Sequence, residues 1–176
     1  MISQFEFDKE TILDIAKKMA IAARTAPKGR GRDTLDIMIA TRNDIDKIAS
    51  RMDKIFEEQN VAFFQRDANN LRNCEAVLFI GTSIDTLGLS YCGFCGLETC
   101  QNKNNHPEVP CTFNNIDLGI AIGSAVSVAA DHRIDNRVLF SAGKAILELK
   151  LMNDSNKVIF GIGLSVSSKN IFFDRK

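Results

Sequence analysis

Four of the five cysteines in this 176-residue chain stand at Cys92, Cys95, Cys100 and Cys111, a C-x2-C-x4-C-x10-C spacing. Residues 84 to 114 are rich in Gly, Asn, Pro and Cys and lose the periodic apolar pattern of their flanks, so a hydrophobic face alone does not organise them. Thiolates at these gaps suit an iron–sulfur cluster: short steps let one turn of chain present two or three sulfurs to a compact cubane, and a remote cysteine closes the site. Gly93 and Gly96 flank Cys95 and supply the positive backbone angles that wrapping a cluster requires. Successive backbone N–H groups in such a turn also donate to anionic sulfur. Zinc is the competing metal, because soft thiolates suit both. An all-cysteine zinc site often pairs two C-x2-C knuckles and this sequence has one, so a four-iron, four-sulfur cluster is the expectation and zinc the alternative.

Four other residues are read more plainly. His106 is expected to be an exposed loop side chain, and Cys74, just before an apolar run, a small buried hydrophobe outside the site. Tyr91 and Phe94 either shield the metal from water or belong to the core.

Lysine plus arginine and aspartate plus glutamate both number 22, which leaves no long-range field to gather nucleic acid or an anionic membrane. The first residues lack the basic start and apolar stretch of a secretion signal, so the cytoplasm is the expected compartment. In that reducing setting a tight cysteine cluster points to metal before disulfides. The longest apolar run, residues 118 to 130, is short of the roughly 20 residues a membrane span needs and is expected to be a buried helix.

Ile12, Ile15, Met19, Ala22 and Ala23 recur at helical spacing and predict a helix over 8 to 26, capped by Asp8. A loop carrying Lys28, Arg30 and Arg32 follows, then a strand over 34 to 41 and a helix from Asn43 or Asp44 to about 60. The pattern next predicts extended chain over 61 to 65, a short polar helix over 67 to 74 and a buried strand over 76 to 81. After the cysteines come helices over 118 to 130 and 141 to 152 and a strand over 158 to 166. Strands mixed with helices in this order make an α/β or α+β core of two or three layers. The expected organisation is one core, residues 1–83 and 115–176, with residues 84–114 inserted as the cluster-binding segment.

The cysteine segment, together with Ala22 to Gly31, Asp117 to Ala125, Asp135 to Val138 and Gly163 to Arg175, resembles the DUF2148 family of prokaryotic ferredoxin-domain proteins over nearly the whole chain. Cys-Gly-x-Cys-Gly-x-x-x-Cys is also similar to the small four-cysteine cluster domain of electron-transport complexes and corrinoid proteins, where the fourth cysteine lies further along than Cys111 does here. The remainder is similar to the flavin-dependent nitroreductase fold. That resemblance implies an α+β core, an antiparallel-rich sheet wrapped by helices, dimeric and with flavin mononucleotide (FMN) at the subunit interface. It rests on the basic segment Arg24 to Arg32 and the C-terminal strand and tail. Arg24, Lys28, Arg30, Arg32, Lys169 and Arg175 are then the candidate donors to an FMN phosphate, with a solvated loop and tail as the plainer alternative. The loop's distance in sequence from the cysteines predicts that it is not needed to hold the metal.

Two functional classes follow. In the first, a cluster exchanges electrons with a redox partner protein or a small-molecule acceptor, with FMN as a second centre; in the second, the metal only staples a non-catalytic binding or sensing module. The sequence contains no Ser-His-Asp, Cys-His or paired-carboxylate arrangement at interpretable spacing, which leaves hydrolysis with little support. A stripe of small residues, Gly119, Gly123 and Ser127, joins the fold resemblance in predicting a homodimer.

Overall fold

The first helix, α1 (Gln4–Thr25), starts ahead of the Asp8 cap that apolar spacing predicts. Its start is set by Ser3, whose backbone N–H and hydroxyl donate to the Glu6 carboxylate at 2.9 and 2.8 Å. This is the S-x-x-E capping signature, which rests on the polar side chains of Ser3 and Glu6 and so escapes a reading by hydrophobic period. The computed structural model describes residues 1–173, with the Phe5 side chain left out; Arg175 therefore lies outside the described residues.

Four strands, β1 (Leu35–Ala40), β2 (Ala76–Ser83), β3 (Asp135–Leu139) and β4 (Asn156–Ser165), form one sheet in the order β1-β2-β4-β3, each pair antiparallel. Central β2 is buried on both faces and sorts its side chains by parity. Val77 and Phe79 meet α2 (Arg42–Gln59), α3 (Ala62–Arg72) and α6 (Phe140–Glu148) on one side. Ala76, Leu78 and Ile80 meet α1 and α5 (Thr112–Asp131) on the other. The result is a three-layer α+β core. Each large aliphatic side chain enclosed in it contributes about 1.5–3 kcal/mol, and both helical layers draw on the same sheet.

The structure departs from the sequence expectations elsewhere too, and α5 begins at Thr112, six residues before the expected start at 118. Residues 62–65 are not extended but open α3, because Phe64, Ala68 and Leu71 share one helical face and bury it. Strand β3 has a polar sequence that hides it from a period-two reading; it pairs with β4 alone, as an edge strand can. Helix α6 stops at Glu148, short of 152, and the chain turns at Lys150 with φ 52°. Helix α5 is long and apolar enough by length and composition to cross a membrane, yet it is packed against α1 and the sheet and buries Asn114 and Asp117.

Candidate metal centre

Strand β2 leaves the sheet at Ser83, and the chain then runs without helix or strand until α4 (Cys100–Asn104). Thr99 caps this short helix through its hydroxyl, which accepts from the Asn102 N–H at 3.1 Å. Cys100 is the first residue of α4, and Cys111 is the N-cap of α5. The expected boundary at 114/115 therefore falls inside the first turn of α5, and the last cysteine is continuous with a core helix. A negative ligand there meets the positive end of a 20-residue helix, worth about 0.3–1 kcal/mol and more where partly buried.

Cys92, Cys95, Cys100 and Cys111 line a single narrow hollow of about 10 Å³, walled by Leu87, Leu89, Leu97 and Phe113. All four are free thiols; Cys111 is buried and the others are partly exposed. Gly93 and Gly96 adopt φ of 79° and 82°, and the Gly96 N–H donates to the Gly93 carbonyl at 3.0 Å, so the chain turns back on itself around Cys95. A β-carbon at either position would strain this turn. Phe94 stacks on Phe113 with ring centroids 6.0 Å apart and walls the hollow, though 70% exposed; Tyr91, 96% exposed, covers nothing. Among the described residues, no three His, Cys, Asp or Glu side chains converge closely enough to hold a single metal ion.

Cys74 lies elsewhere. It is wholly buried in the core before β2, where loss of water pushes its thiol up to about 12. His106 does not line the hollow; its ring stands 3.3 Å from the Glu108 carboxylate in an exposed loop.

The basic loop is placed differently from the sequence expectation. Arg30 donates to the carbonyls of Leu87 and Gly88 at 3.3 and 3.2 Å, and Arg32 to the Thr86 carbonyl at 3.0 Å and the Asp85 carboxylate at 2.6 Å. The Gly29 N–H donates to both oxygens of buried Asp117 at 3.1 and 3.0 Å, while the Asn114 side chain accepts from the Asp85 N–H at 2.9 Å. The segment 85–88, which leads into Cys92, is thus clamped between the basic loop and the first turns of α5. Separation in sequence concealed this contact. Replacing Asp117 by alanine is therefore expected to cost about 2 kcal/mol, since it removes the acceptor of a charge-assisted bond and frees the loop. Iron bound per chain should fall with it; unchanged iron in a D117A protein would break the link between clamp and metal.

Arg24 and Lys28 are also engaged. Arg24 donates to Asp33 at 2.6 Å and to the Leu35 carbonyl at 3.1 Å. Burial pushes the Asp33 carboxyl up, but the Arg24 and Leu35 hydrogen bonds and the charges of Arg24 and Lys28 together outweigh it and hold the group below its usual range. The Lys28 ammonium donates to the carbonyls of Ala23, Arg24 and Ala26 at 3.3, 2.6 and 2.8 Å, closing the C-terminal end of α1.

The basic loop enters β1 at Leu35, beside Thr82 and so beside Val158 of β4, whereas Lys169 follows the other end of β4 after Ser165. The seven steps from Val158 to Ser165 span roughly 23 Å at about 3.3 Å per residue.

Residues 108–175 match a family described as an uncharacterized protein containing a ferredoxin domain, DUF2148. An uncharacterized protein of Archaeoglobus fulgidus is 36% identical over 183 residues, covering 99% of this chain and 97% of the relative. The chain belongs to the DUF2148 family. The matched region of this DUF2148 chain takes in Cys111 and α5, while Cys92, Cys95 and Cys100 precede it. Its fold is that of nitroreductases. A Bacteroides fragilis nitroreductase with bound FMN superposes with a TM-score of 0.64 at 11% identity, covering 93% of this chain and 81% of that one. Nitroreductase A from Vibrio parahaemolyticus gives 0.57 at 13% identity, covering 89% of this chain and 59% of that one, so the DUF2148 chain spans three to four fifths of these enzymes' length.

Proposed function

We propose that this DUF2148 protein is an iron–sulfur redox protein that holds one four-iron, four-sulfur cluster on Cys92, Cys95, Cys100 and Cys111. It passes electrons between a redox partner protein and a small-molecule acceptor. The observation that carries this reading is that four thiols from separate stretches of chain line one hollow. The donor set fits the group: four soft ligands, mostly apolar walls and a helix N-terminus at one ligand. The single C-x2-C pair favours the cluster over zinc, because an all-cysteine zinc site often uses two such knuckles. The bound cluster supplies one-electron transfer at a potential set by its surroundings.

The test is iron and sulfide analysis of anaerobically purified protein, with a visible spectrum before and after dithionite. A brown chromophore that bleaches on reduction is expected. A colourless zinc protein would overturn the reading in favour of a metal-stapled binding or sensing module. The cytoplasm, where thiols stay reduced, is the compartment this chemistry calls for.

A flavin site forms the second part of the proposal, favoured by the likeness to an FMN-bound nitroreductase and by the cations of residues 24–32. Each arginine there retains unused N–H donors for a phosphate. Because Lys169 lies at the far end of the sheet, a site using both groups of cations requires two copies of the chain. The surface of α5 suits that arrangement: Ile116 and Ile120 are exposed, and a β-carbon at Gly119 or Gly123 would meet nothing within 4 Å, so the smallness of these residues has no use inside the protomer. The reading is a homodimer and an FMN-dependent oxidoreductase. Light scattering should give about twice the 19.5 kDa chain mass. FMN added to flavin-free protein should show saturable fluorescence quenching. A monomer at every concentration, or no quenching up to about 1 mM flavin, would leave the cluster as the sole redox centre.

A further inference from the structure

Among the described residues Lys103 is the one buried lysine or arginine, 3% exposed. It lies on α4, three residues after Cys100, and lines the same hollow as the four cysteines. Its ammonium donates to the His106 carbonyl at 3.3 Å and, among the described residues, makes no ion pair. Glu108, the nearby acid, is exposed and bonds to His106 instead. Lys103 also borders an outer cleft with Asp85, Thr86 and Pro107, so it forms a wall between the hollow and solvent.

One neutral carbonyl is poor compensation for a lysine taken out of water, and buried charges are normally matched by an opposite charge. Neither acid at this wall, Asp85 paired with Arg32 or exposed Glu108 bonded to His106, provides one inside the hollow. Four thiolates around a cluster do: the assembly is anionic and becomes more so on accepting an electron. A cation held beside it stabilises the reduced form more than the oxidised form, because the attraction grows with the added charge.

We infer that Lys103 is the built-in counter-charge of the metal centre, helping to retain the cluster and raising its reduction potential. The inference rests on the cluster reading above. It assigns Lys103 a positioning and tuning role, with no step of chemistry of its own. Methionine at this position keeps the length and wall of the side chain without the charge; arginine keeps the charge.

The test compares full-length wild type, K103M and K103R, purified anaerobically, by iron and sulfide content, circular dichroism and a potentiometric titration followed in the visible or by electron paramagnetic resonance. The expected result is a K103M protein of native circular dichroism whose ratio of reduced to oxidised cluster falls at least tenfold at a given potential, a midpoint lowered by 59 mV for one electron. K103R should stay with the wild type. Loss of iron from K103M with retention in K103R supports the same assignment. An unchanged midpoint in K103M, an equal fall or equal loss of iron in K103R, or loss of native circular dichroism in both would make Lys103 a structural wall and overturn it. Iron-free wild type would overturn the cluster reading and this inference together, an outcome distinguishable from the others before any variant is made.

Discussion

Replacing Cys95 by serine is expected to remove most of the bound iron, and the same holds for Cys92 and Cys100. A serine hydroxyl is hard and scarcely ionised at neutral pH, so it is a weak substitute for a soft thiolate. Among the described residues the hollow is lined by no further cysteine or histidine. His106 lies outside the hollow, and Cys74 is buried before β2, at the end of that strand opposite the one from which the cysteine segment departs. Cys74→Ser is the matched control. It buries a hydroxyl where a thiol sat, with the Asn70 carbonyl nearby at 3.4 Å from the sulfur, and should cost about 1–2 kcal/mol of stability with iron unaffected. Iron and sulfide per folded chain decide the matter. Equal loss from Cys74→Ser and Cys95→Ser would remove the distinction between core thiol and ligand.

The cysteine segment was legible because its signal is local. Spacing and flanking glycines need no tertiary information, and the φ values of Gly93 and Gly96 agree with what the turn demands. The core strands were legible for a related reason: β2 and β4 are apolar runs whose burial follows from composition. Edge strand β3 was not, since a strand paired on one side can be polar, and Asp135-Asn136-Arg137 carries no apolar period. The role of the basic loop was hidden more deeply. Arg30 and Arg32 bond to backbone carbonyls 54 to 58 residues away, and a carbonyl acceptor leaves no mark in a sequence because every residue has one. Lys103 was hidden likewise: a lysine in a polar stretch reads as solvated until the fold encloses it. Features set by side-chain type were therefore visible, while those set by backbone acceptors and enclosure required the fold.

The largest expected effect on stability lies at Gly143, far in sequence from the cysteines. Helix α6 lies so close on β4 that a β-carbon at Gly143 would stand 1.7 Å from the Ile159 carbonyl oxygen and 2.4 Å from its carbon. Both are backbone atoms of β4, which at Ile159 is paired with Gly81 of β2, so neither can swing away as a side-chain tip would. Gly143→Ala would gain about 1 kcal/mol from helix propensity in isolation. Overpacking typically costs about 1–3 kcal/mol, and with no side chain free to yield the cost here should lie at or above the top of that range. The net expectation is a loss of about 2 kcal/mol or more, seen as a lower denaturant midpoint. Ile159 pairs with Gly81, two residues before β2 releases the chain toward the cysteines, so a displaced β4 would also disturb the root of the metal loop. Gly143→Ala should consequently lower iron loading as well as stability, whereas a variant as stable as the wild type would mean that the helix can lift from the strand at little cost.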